Sequence, residues 1–426
     1  MKSMILRPWR AVVAMAAFGV AAPAFASHPH HDPTVIVEWN EILQNNIPAT
    51  AGVFSFRYYA VMHIAMFDAV NSIDSRYTPY RVRVPAHHGA SAEAAAAQAA
   101  RDVLVQLIPT AASSFDAALK ARLATVHPAR AALGIAAGKK AAHAVLKWRF
   151  NDGFEQPNQP YTPPALPGWW QPSAPGQVAA AVNFGSIKPF ALRTPTVYLP
   201  AAPPLLNSSQ YTEDYNEVKA LGDIASTTRT AEQTLLARLF AGPPNYSPNP
   251  FAFWSRVAKT LAASERLSLV QTARLFAHLS AAMNDGLQTA HTSKYVYGLW
   301  RPITAIRRGD EDLNDQTIAD PAWTPLLGTP PYPSHASNLT CIAASAARIF
   351  ARTFKSDAVP FTVTWTGLAG NADVTRSYDT FSQLAQEGGV SRVYGGIHFQ
   401  FEIDAAYESC TKVGDYVFDN KMRRVH

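Results

Sequence analysis

Cysteine is scarce in this sequence, which contains two cysteines, Cys341 and Cys410, among 426 residues. So few cysteines exclude a disulfide-rich scaffold in which cross-links replace a hydrophobic core. In an oxidising compartment the two residues could form one disulfide, or they could remain as buried free thiols. The sequence leaves both alternatives open.

Long apolar runs are absent after residue 26, where no stretch reaches the roughly 18 uninterrupted apolar residues of a membrane span. Residues 1–26 themselves combine three basic residues, an alanine-rich apolar stretch and the small-x-small sequence Ala24-Phe25-Ala26. This order predicts a secretory signal peptide that is removed from the mature protein. An uncleaved anchor helix is the alternative. We therefore expect an exported protein, located in a bacterial periplasm or secreted beyond it.

A strong excess of charge is also lacking. The full sequence has a formal net charge of +6, from 37 basic and 31 acidic residues. Removal of residues 1–26, which include three basic and no acidic residues, leaves the mature chain at +3. This charge is too small to indicate nucleic-acid binding. It suits an anionic substrate if the basic side chains converge at one place.

Alternating strand patterns are scarce, whereas helical periodicity is frequent. The segment 157–204 contains 12 of the 32 prolines, which excludes a regular helix or strand there. We predict an all-α fold of two packed helical bundles joined by this Pro-rich segment. The N-terminal helical region with the Pro-rich wrap would comprise residues 27–205. The helical domain that carries the site would comprise residues 206–426.

The pattern also predicts individual elements. Helices are expected within 49–73, 90–150 and about 264–299, and a strand at 360–366. The second range should contain two or three helices with breaks near Pro109 and Pro128. Thr230 and Gln233 have the spacing of a capping box that starts a further helix.

Two cations in the C-terminal half, Lys294 and Arg301, lie seven positions apart, which is close to two helical turns. We expect both side chains on one helical face, with Pro302 ending the helix. Two aligned cations favour a bound anion, although a solvated basic face would show the same spacing.

Two later segments contain further groups that bind anions. Ser337 and Asn338 precede an apolar run, where a hydroxyl group and free backbone N–H groups at a helix N-terminus can bind an anion. Arg392 is followed six residues later by His398, an imidazole that can bind a metal centre or attack phosphorus. Together with Lys294 and Arg301, these groups suit a tetrahedral oxyanion.

The order Lys-x6-Arg-Pro, a Pro-Ser-Gly-His element and Ser-Arg-x5-His resembles the signature of the vanadium-dependent haloperoxidases. Type-2 phosphatidic acid phosphatases and bacterial acid phosphatases share this signature. The runs LWRPITAIRRGD, TPPYP, GGIHFQFE and RYYAVMHIAMFDAVNSI resemble the haloperoxidase branch. The resemblance covers most of the mature chain.

The middle element departs from the family pattern. If TPPYP is kept in register, Ser337 is the anion-binding serine, Asn338 replaces glycine, and Leu339 replaces the acid–base histidine. In the other register Ser334 takes the serine position. His335, just upstream, could substitute as an acid–base group in either case.

The resemblance implies vanadate as cofactor, with phosphate as a competitor. It implies the following vanadate- or phosphate-binding residues: Lys294, Arg301, Ser337, Asn338, Arg392 and His398. Among them His398 would be the axial vanadium ligand or the nucleophile, and Lys294 would polarise a bound peroxide. His291 and Tyr332 are candidates for a halide or substrate pocket.

The implied activity is oxidation of a halide by hydrogen peroxide, with a small organic acceptor. An acid phosphatase acting on a phosphate ester through a phosphohistidine is the second hypothesis, and a non-catalytic phosphate- or vanadate-binding relative is the third. Loss of the second histidine favours a peroxidase, because general acid catalysis contributes about 10²–10⁴-fold to such a hydrolysis. The oligomeric state is left open, with a homodimer among the options.

Overall fold

The residues described in this computed structural model, 32–87, 89–241, 250–366 and 373–425, fold mainly into α-helices. The α-helices are α1 (Thr34–Asn46), α2 (Ser55–Ile73), α3 (Ala92–Leu107), α4 (Ala112–Leu123), α5 (Pro128–Arg149), α6 (Ser209–Gly222), α7 (Ala231–Ala241), α8 (Pro250–Ser264), α9 (Leu269–Tyr297), α10 (Pro302–Arg307), α11 (Asn338–Phe354), α12 (Phe381–Tyr394) and α13 (Gln400–Asn420). Short 3-10 helices span Ala49–Phe54, Pro109–Ala111, Val182–Ser186 and Gly309–Glu311. Strands β1 (Phe361–Trp365) and β2 (Val374–Tyr378) pair antiparallel.

The all-α prediction is confirmed, and so are most of the individual elements. Helices α2 and α9 lie within the predicted ranges, and α3, α4 and α5 occupy the alanine-rich range with breaks at Pro109 and Pro128. The capping box is present, because Thr230 N donates to Gln233 Oε1 (2.9 Å) and Gln233 N donates to Thr230 Oγ1 (3.1 Å). The predicted signal peptide lies outside the described residues.

Helix α2 is buried almost all round, as its nearly uninterrupted apolar sequence requires. It packs against α3 and α5 and also against α9, which follows the Pro-rich segment in the chain. Helices from both sides of that segment therefore contribute to one hydrophobic core within the compact unit His31–His426. The division of the chain at residue 205 stays a prediction.

Helices α9, α11 and α13 form the bundle that positions the candidate site. A disulfide between Cys341 of α11 and Cys410 of α13, with Cα atoms 5.0 Å apart, joins two of them. Helix α9 approaches α11 closely at Gly286, where an added Cβ would lie 2.3 Å from Ser345 Oγ. The C-terminal end of α9 thereby lies near the N-terminal ends of α11 and α13.

The Pro-rich segment 157–204 contains no α-helix or strand, in agreement with the sequence. Asp285 of α9 holds its later part, because its carboxylate accepts hydrogen bonds from the backbone N–H groups of Phe190 (2.7 Å), Ala191 (2.7 Å) and Leu192 (3.0 Å). The carboxylate is fully buried. These three bonds fix the segment against the bundle.

No helix in the described part of the chain combines the length and apolar character needed to cross a membrane.

Asp285→Ala should destabilise the protein by about 3–5 kcal/mol, because three backbone N–H groups, two of them buried, lose their acceptor. Urea unfolding measures the free energy, and limited proteolysis should show earlier cleavage within the Pro-rich segment. Asp315→Ala, at an exposed aspartate, is the matched control and should leave both properties unchanged. Equal stability of the two variants would contradict the role given to Asp285.

Candidate functional site

Helix α9 carries Lys294 in its last turn but ends before Arg301. Gly298 has a φ of +60°, a left-handed conformation that ends the helix, and an added Cβ there would lie 2.5 Å from the Trp169 ring. Arg301 is extended, and Pro302 is the first residue of α10. The prediction that Lys294 and Arg301 share one helical face, with Pro302 ending that helix, is therefore wrong.

The two cations still converge, because both approach the ring of Tyr332. The Lys294 Nζ atom lies 5.3 Å from the ring centroid, and the Arg301 guanidinium carbon lies 5.0 Å from it. Lys294 Nζ also donates to the carbonyl oxygens of Ser334 (2.7 Å) and Ala336 (2.5 Å). The loop between α10 and α11 thus fixes the position of the lysine.

Arg301 is fully buried and only partly used in hydrogen bonds. Its Nε donates to the Tyr332 carbonyl oxygen and its Nη1 to the Ile397 carbonyl oxygen, both at 2.9 Å. Nη1 also lies 3.3 Å from Nε2 of His398. Its Nη2 is buried and has no partner among the described residues. One donor therefore remains unused beside the histidine.

Arg392, in the last turn of α12, is the third buried cation. Its Nη2 donates to the Ala237 carbonyl oxygen (3.2 Å), whereas its buried Nε has no partner in the described ranges. Burial lowers the pKa of Arg392 to about 10, and its charge helps to lower the pKa of His398. Within the described residues, no ion pair joins Lys294, Arg301 or Arg392 to a carboxylate. Buried cations without such partners favour an anion between them.

His398 is held by Glu402, in the first turn of α13. The His398 Nδ1 atom lies 2.5 Å from Glu402 Oε2, which also accepts from Ser334 Oγ (2.9 Å) and Phe399 N (3.1 Å). A carboxylate at Nδ1 keeps the proton on that nitrogen, so Nε2 retains its lone pair. Burial and then the neighbouring cations lower the pKa of His398 well below its usual value, so the ring is neutral at pH 7.

Glu402 was not among the site residues expected from the sequence. Its position four residues after His398 was the available signal, since an imidazole that acts through one nitrogen needs a partner on the other. Burial raises the pKa of Glu402 to about 7, although Lys294 and Arg301 act in the opposite direction. Its Oε1 is buried and has no hydrogen-bond partner among the described residues.

Ser337 is the N-cap of α11, as the sequence predicts, and its Oγ accepts from Thr340 N (3.3 Å) and Thr340 Oγ1 (2.9 Å). The next residue, Asn338, has its Nδ2 atom 3.3 Å from Nδ1 of His291. Nε2 of His291 lies 3.1 Å from the Ala181 carbonyl oxygen and must carry the proton to donate there. Nδ1 therefore accepts from Asn338, whose Oδ1 is left buried without a partner in the described part of the chain.

His335 lies in the same loop, in surroundings that favour its neutral form. Its Nε2 is 2.7 Å from the Ala201 carbonyl oxygen, and its buried Nδ1 has no partner among the described residues. Burial lowers the pKa of His335 to about 4, so this ring is neutral at pH 7. Leu339, which the register that keeps TPPYP aligns with the family's histidine, is half-buried and cannot transfer a proton.

Residues 274–426 match the sequence profile of the VCPO second helical-bundle domain. The fold resembles the crystal structure of the first bacterial vanadium-dependent iodoperoxidase, with a TM-score of 0.77 and 24% identity over 92% of this chain and 95% of that chain. The chain is therefore similar to the vanadium-dependent haloperoxidases: residues 274–426 match one helical domain of that family, and the fold resembles that of its solved members.

Two further structures of this family have the same fold. The holo form of a bacterial vanadium-dependent chloroperoxidase gives a TM-score of 0.71 at 16% identity, covering 91% of this chain and 93% of that chain. An apo form of a bacterial vanadium-dependent chloroperoxidase gives a TM-score of 0.68 at 17% identity, covering 93% of this chain and 95% of that chain. No curated protein matches the chain significantly. At these identities the likeness establishes the fold, and the roles of individual residues depend on the contacts of the site itself.

Glu402→Gln should remove a pH-dependent part of the free energy of unfolding. The native pKa of about 7 exceeds the ordinary value of 4.5, so between these values the native protein binds more protons than the unfolded chain. The carboxyl group thus contributes stability that is present below pH 4.5 and lost as the pH rises through 7. Over this range the wild type should lose on the order of 3 kcal/mol more than the variant.

Urea unfolding at several pH values measures this difference between Glu402→Gln and the wild type. Glu265→Gln, at an exposed glutamate, is the control and should keep the wild-type pH dependence. If Glu402→Gln also kept it, the raised pKa of the buried carboxyl group would be refuted.

Proposed function

We propose that this protein is a vanadium-dependent haloperoxidase-type enzyme that oxidises a halide with hydrogen peroxide. The supporting observation is the set of three buried cations whose charges all add to the effect of burial in lowering the pKa of His398, with Arg301 Nη1 lying 3.3 Å from its Nε2. The unused Nη2 of Arg301 and Nε of Arg392 suit a tetrahedral oxyanion, which would accept hydrogen bonds from them and offset the buried positive charge. Vanadate is such an oxyanion, and when bound it supplies the Lewis acidity that activates hydrogen peroxide.

Three cations, two hydrogen-bonding residues and one nitrogen ligand would hold the vanadate: Lys294, Arg301, Arg392, Ser337, Asn338 and His398. The backbone N–H groups at the start of α11 would add donors of the kind that binds anions at helix N-termini. Burial lowers the pKa of Lys294, and a bound oxyanion would favour its ammonium form. In that form its three N–H donors exceed the two carbonyl oxygens that it contacts, so Lys294 would also donate to hydrogen peroxide.

The pair formed by His398 and Glu402 would determine which imidazole nitrogen binds vanadium. Because Glu402 accepts a hydrogen bond from the protonated Nδ1, His398 presents the lone pair of Nε2. The nearby Arg301 Nη1 is 3.3 Å from this nitrogen, a weak contact that an incoming ligand can replace. Neutral imidazole is the form that binds metals, and the lowered pKa of His398 favours it.

An acid phosphatase is less compatible with this site. A phosphatase needs a protonated group to assist departure of the alkoxide. Leu339 cannot provide a proton, and His335, with its pKa lowered to about 4, is not protonated at neutral pH. These two residues favour the peroxidase hypothesis over the phosphatase hypothesis.

We place the pocket for the halide and the small organic acceptor at His291 and Tyr332, whose rings lie 5.1 Å apart. Tyr332 adjoins both Lys294 and Arg301, so a halide there would lie near the cations. Burial lowers the pKa of His291 to about 3, so this ring would contribute a neutral surface.

We also propose that the protein is exported, on the basis of the signal-like residues 1–26. The disulfide between Cys341 and Cys410 is compatible with an oxidising compartment.

Vanadate should switch on halide oxidation in the purified protein, and His398→Ala should reduce the rate by more than about a hundredfold, since it removes the proposed ligand. The assay follows bromination or iodination of a phenolic dye by hydrogen peroxide, with and without vanadate. Hydrolysis of p-nitrophenyl phosphate is measured on the same preparation. His143→Ala, at an exposed histidine, is the matched control and should retain full activity.

Two outcomes of these assays would contradict the proposal. Phosphate-ester hydrolysis without halide oxidation would favour the phosphatase, and vanadate binding without either reaction would favour a non-catalytic relative. Unchanged halide oxidation in His398→Ala would refute the role of that residue.

Ser337→Ala should weaken vanadate binding by about tenfold or more, because one hydrogen bond to a charged oxygen is lost. Ser334→Ala should weaken it less, since the Ser334 hydroxyl is already bonded to Glu402. Vanadate affinity is measured by calorimetry, with phosphate as a competitor for the same site. A large loss in Ser334→Ala alone would establish the other register of this loop.

A further inference from the structure

A second group of basic side chains lines a cavity of about 910 Å³ beside the first turns of α9. Its cationic lining residues are Arg274, Arg348, Arg352, Lys355, Arg423 and Arg424. We call it the basic cavity. Arg274 and Lys294 are 20 residues apart on α9, which corresponds to about 30 Å along the helix. The basic cavity is therefore separate from the candidate functional site.

Nearby carboxylates neutralise only two of the six cations. Asp415 accepts from Arg348 Nε (2.7 Å) and Arg352 Nη1 (2.6 Å), and Asp419 also pairs with Arg352. Asp357, the remaining acidic lining residue, is bonded to the backbone and side chain of a serine at the start of α12. The carboxylates are thus bonded to Arg348, Arg352 or a serine, and not to the other four cations.

The remaining four cations, Arg274, Lys355, Arg423 and Arg424, form no ion pair with a carboxylate in the described part of the chain. These residues come from the start of α9, the end of α11 and the C-terminal segment. The charge of these four cations, +4, exceeds the net charge of +3 expected for the whole mature chain. Like charges gathered in this way repel one another, and an anion between them would offset this repulsion.

Arg274 shows that this cavity has more structure than a solvated basic surface. Its guanidinium carbon lies 4.7 Å from the ring centroids of both Tyr77 and Phe418, and its Nε donates to the Met422 carbonyl oxygen (2.8 Å). Burial lowers the pKa of Arg274, and the charge of Arg424 acts in the same direction. The guanidinium is therefore held in place by aromatic rings, close to a second guanidinium.

The lining also contains an unused polar atom. Thr353 Oγ1 is buried and has no hydrogen-bond partner among the described residues. The backbone of the C-terminal segment is fixed as well, because Thr78 N donates to the Arg423 carbonyl oxygen (2.7 Å) and Val425 N to the Arg76 carbonyl oxygen (3.0 Å). Arg423 and Arg424 are therefore attached to a positioned backbone rather than to a free end.

We propose that the basic cavity binds a small polyanion with several phosphoryl groups, such as a condensed phosphate or a multiply phosphorylated ester. Guanidinium groups match phosphoryl oxygens in geometry and charge. Four cations from three parts of the chain suit several charged groups better than one orthophosphate. The volume is also within the range of small-molecule sites, about 300–1,000 Å³.

The test is a calorimetric titration of the full-length protein with inorganic tripolyphosphate, with orthophosphate as the reference that carries a single phosphoryl group. Arg424→Gln and Lys355→Asn should each weaken tripolyphosphate binding by about tenfold, because each removes one charged partner. Both side chains are exposed, so the variants should fold. Thermal unfolding without ligand verifies this point. In Arg392→Gln, in which the phosphate-binding candidate functional site is impaired, tripolyphosphate should bind more tightly than orthophosphate.

Two control variants distinguish binding in the basic cavity from general charge attraction and from binding at the candidate functional site. Lys140→Gln removes an exposed cation on α5, and Arg392→Gln alters the candidate functional site; both should keep the wild-type affinity for tripolyphosphate. Absence of saturable binding, or equal weakening in Lys140→Gln, would overturn the proposal. Loss of binding in Arg392→Gln alone would place the polyanion at the candidate functional site and would also overturn it.

Discussion

The burial of three cations without a carboxylate ion pair among the described residues is the constraint on which the rest of the site depends. Removing a cation from water is costly unless other groups replace its hydration. Here carbonyl oxygens replace part of it: those of Ser334 and Ala336 for Lys294, and those of Tyr332 and Ile397 for Arg301. These groups fix the positions of the cations but leave part of their donor capacity unused, which is the capacity that an oxyanion would fill.

The loop between α10 and α11 connects most of this arrangement. It contributes the carbonyl oxygens that hold Lys294, the aromatic ring that both cations approach, and the hydroxyl group of Ser334 on Glu402. It then ends at Ser337, the N-cap of α11. Residues 332–337 of this loop therefore position Lys294 and Arg301, orient His398 through Glu402 and present the helix N-terminus. Its high proline content suits this role, because proline restricts the backbone without helix formation.

Features with a local cause could be predicted from the sequence. The capping box at Thr230 and Gln233, the helix start at Ser337 and the lack of regular structure in the Pro-rich segment depend on neighbouring residues. Features that depend on distant contacts could not. The left-handed Gly298 that ends the helix containing Lys294 is a local signal, but the packing of the Trp169 ring, from the Pro-rich segment, where a Cβ of residue 298 would lie is a distant contact. Likewise, the sequence could not decide whether Cys341 and Cys410 pair, since their distance depends on the packing of α11 against α13.

The Pro-rich segment has a consequence for how the site is assembled. Its backbone carbonyl oxygens at Ala181 and Ala201 accept from His291 and His335, and the one at Ala180 accepts from the hydroxyl group of Tyr295. A fragment that begins at residue 206 would retain the proposed vanadate-binding residues but would lack these three acceptors. Its imidazole rings would be free to change tautomer and orientation. The C-terminal bundle thus depends on earlier residues for the protonation pattern of His291 and His335, so an engineered fragment must include more than the bundle that carries the signature.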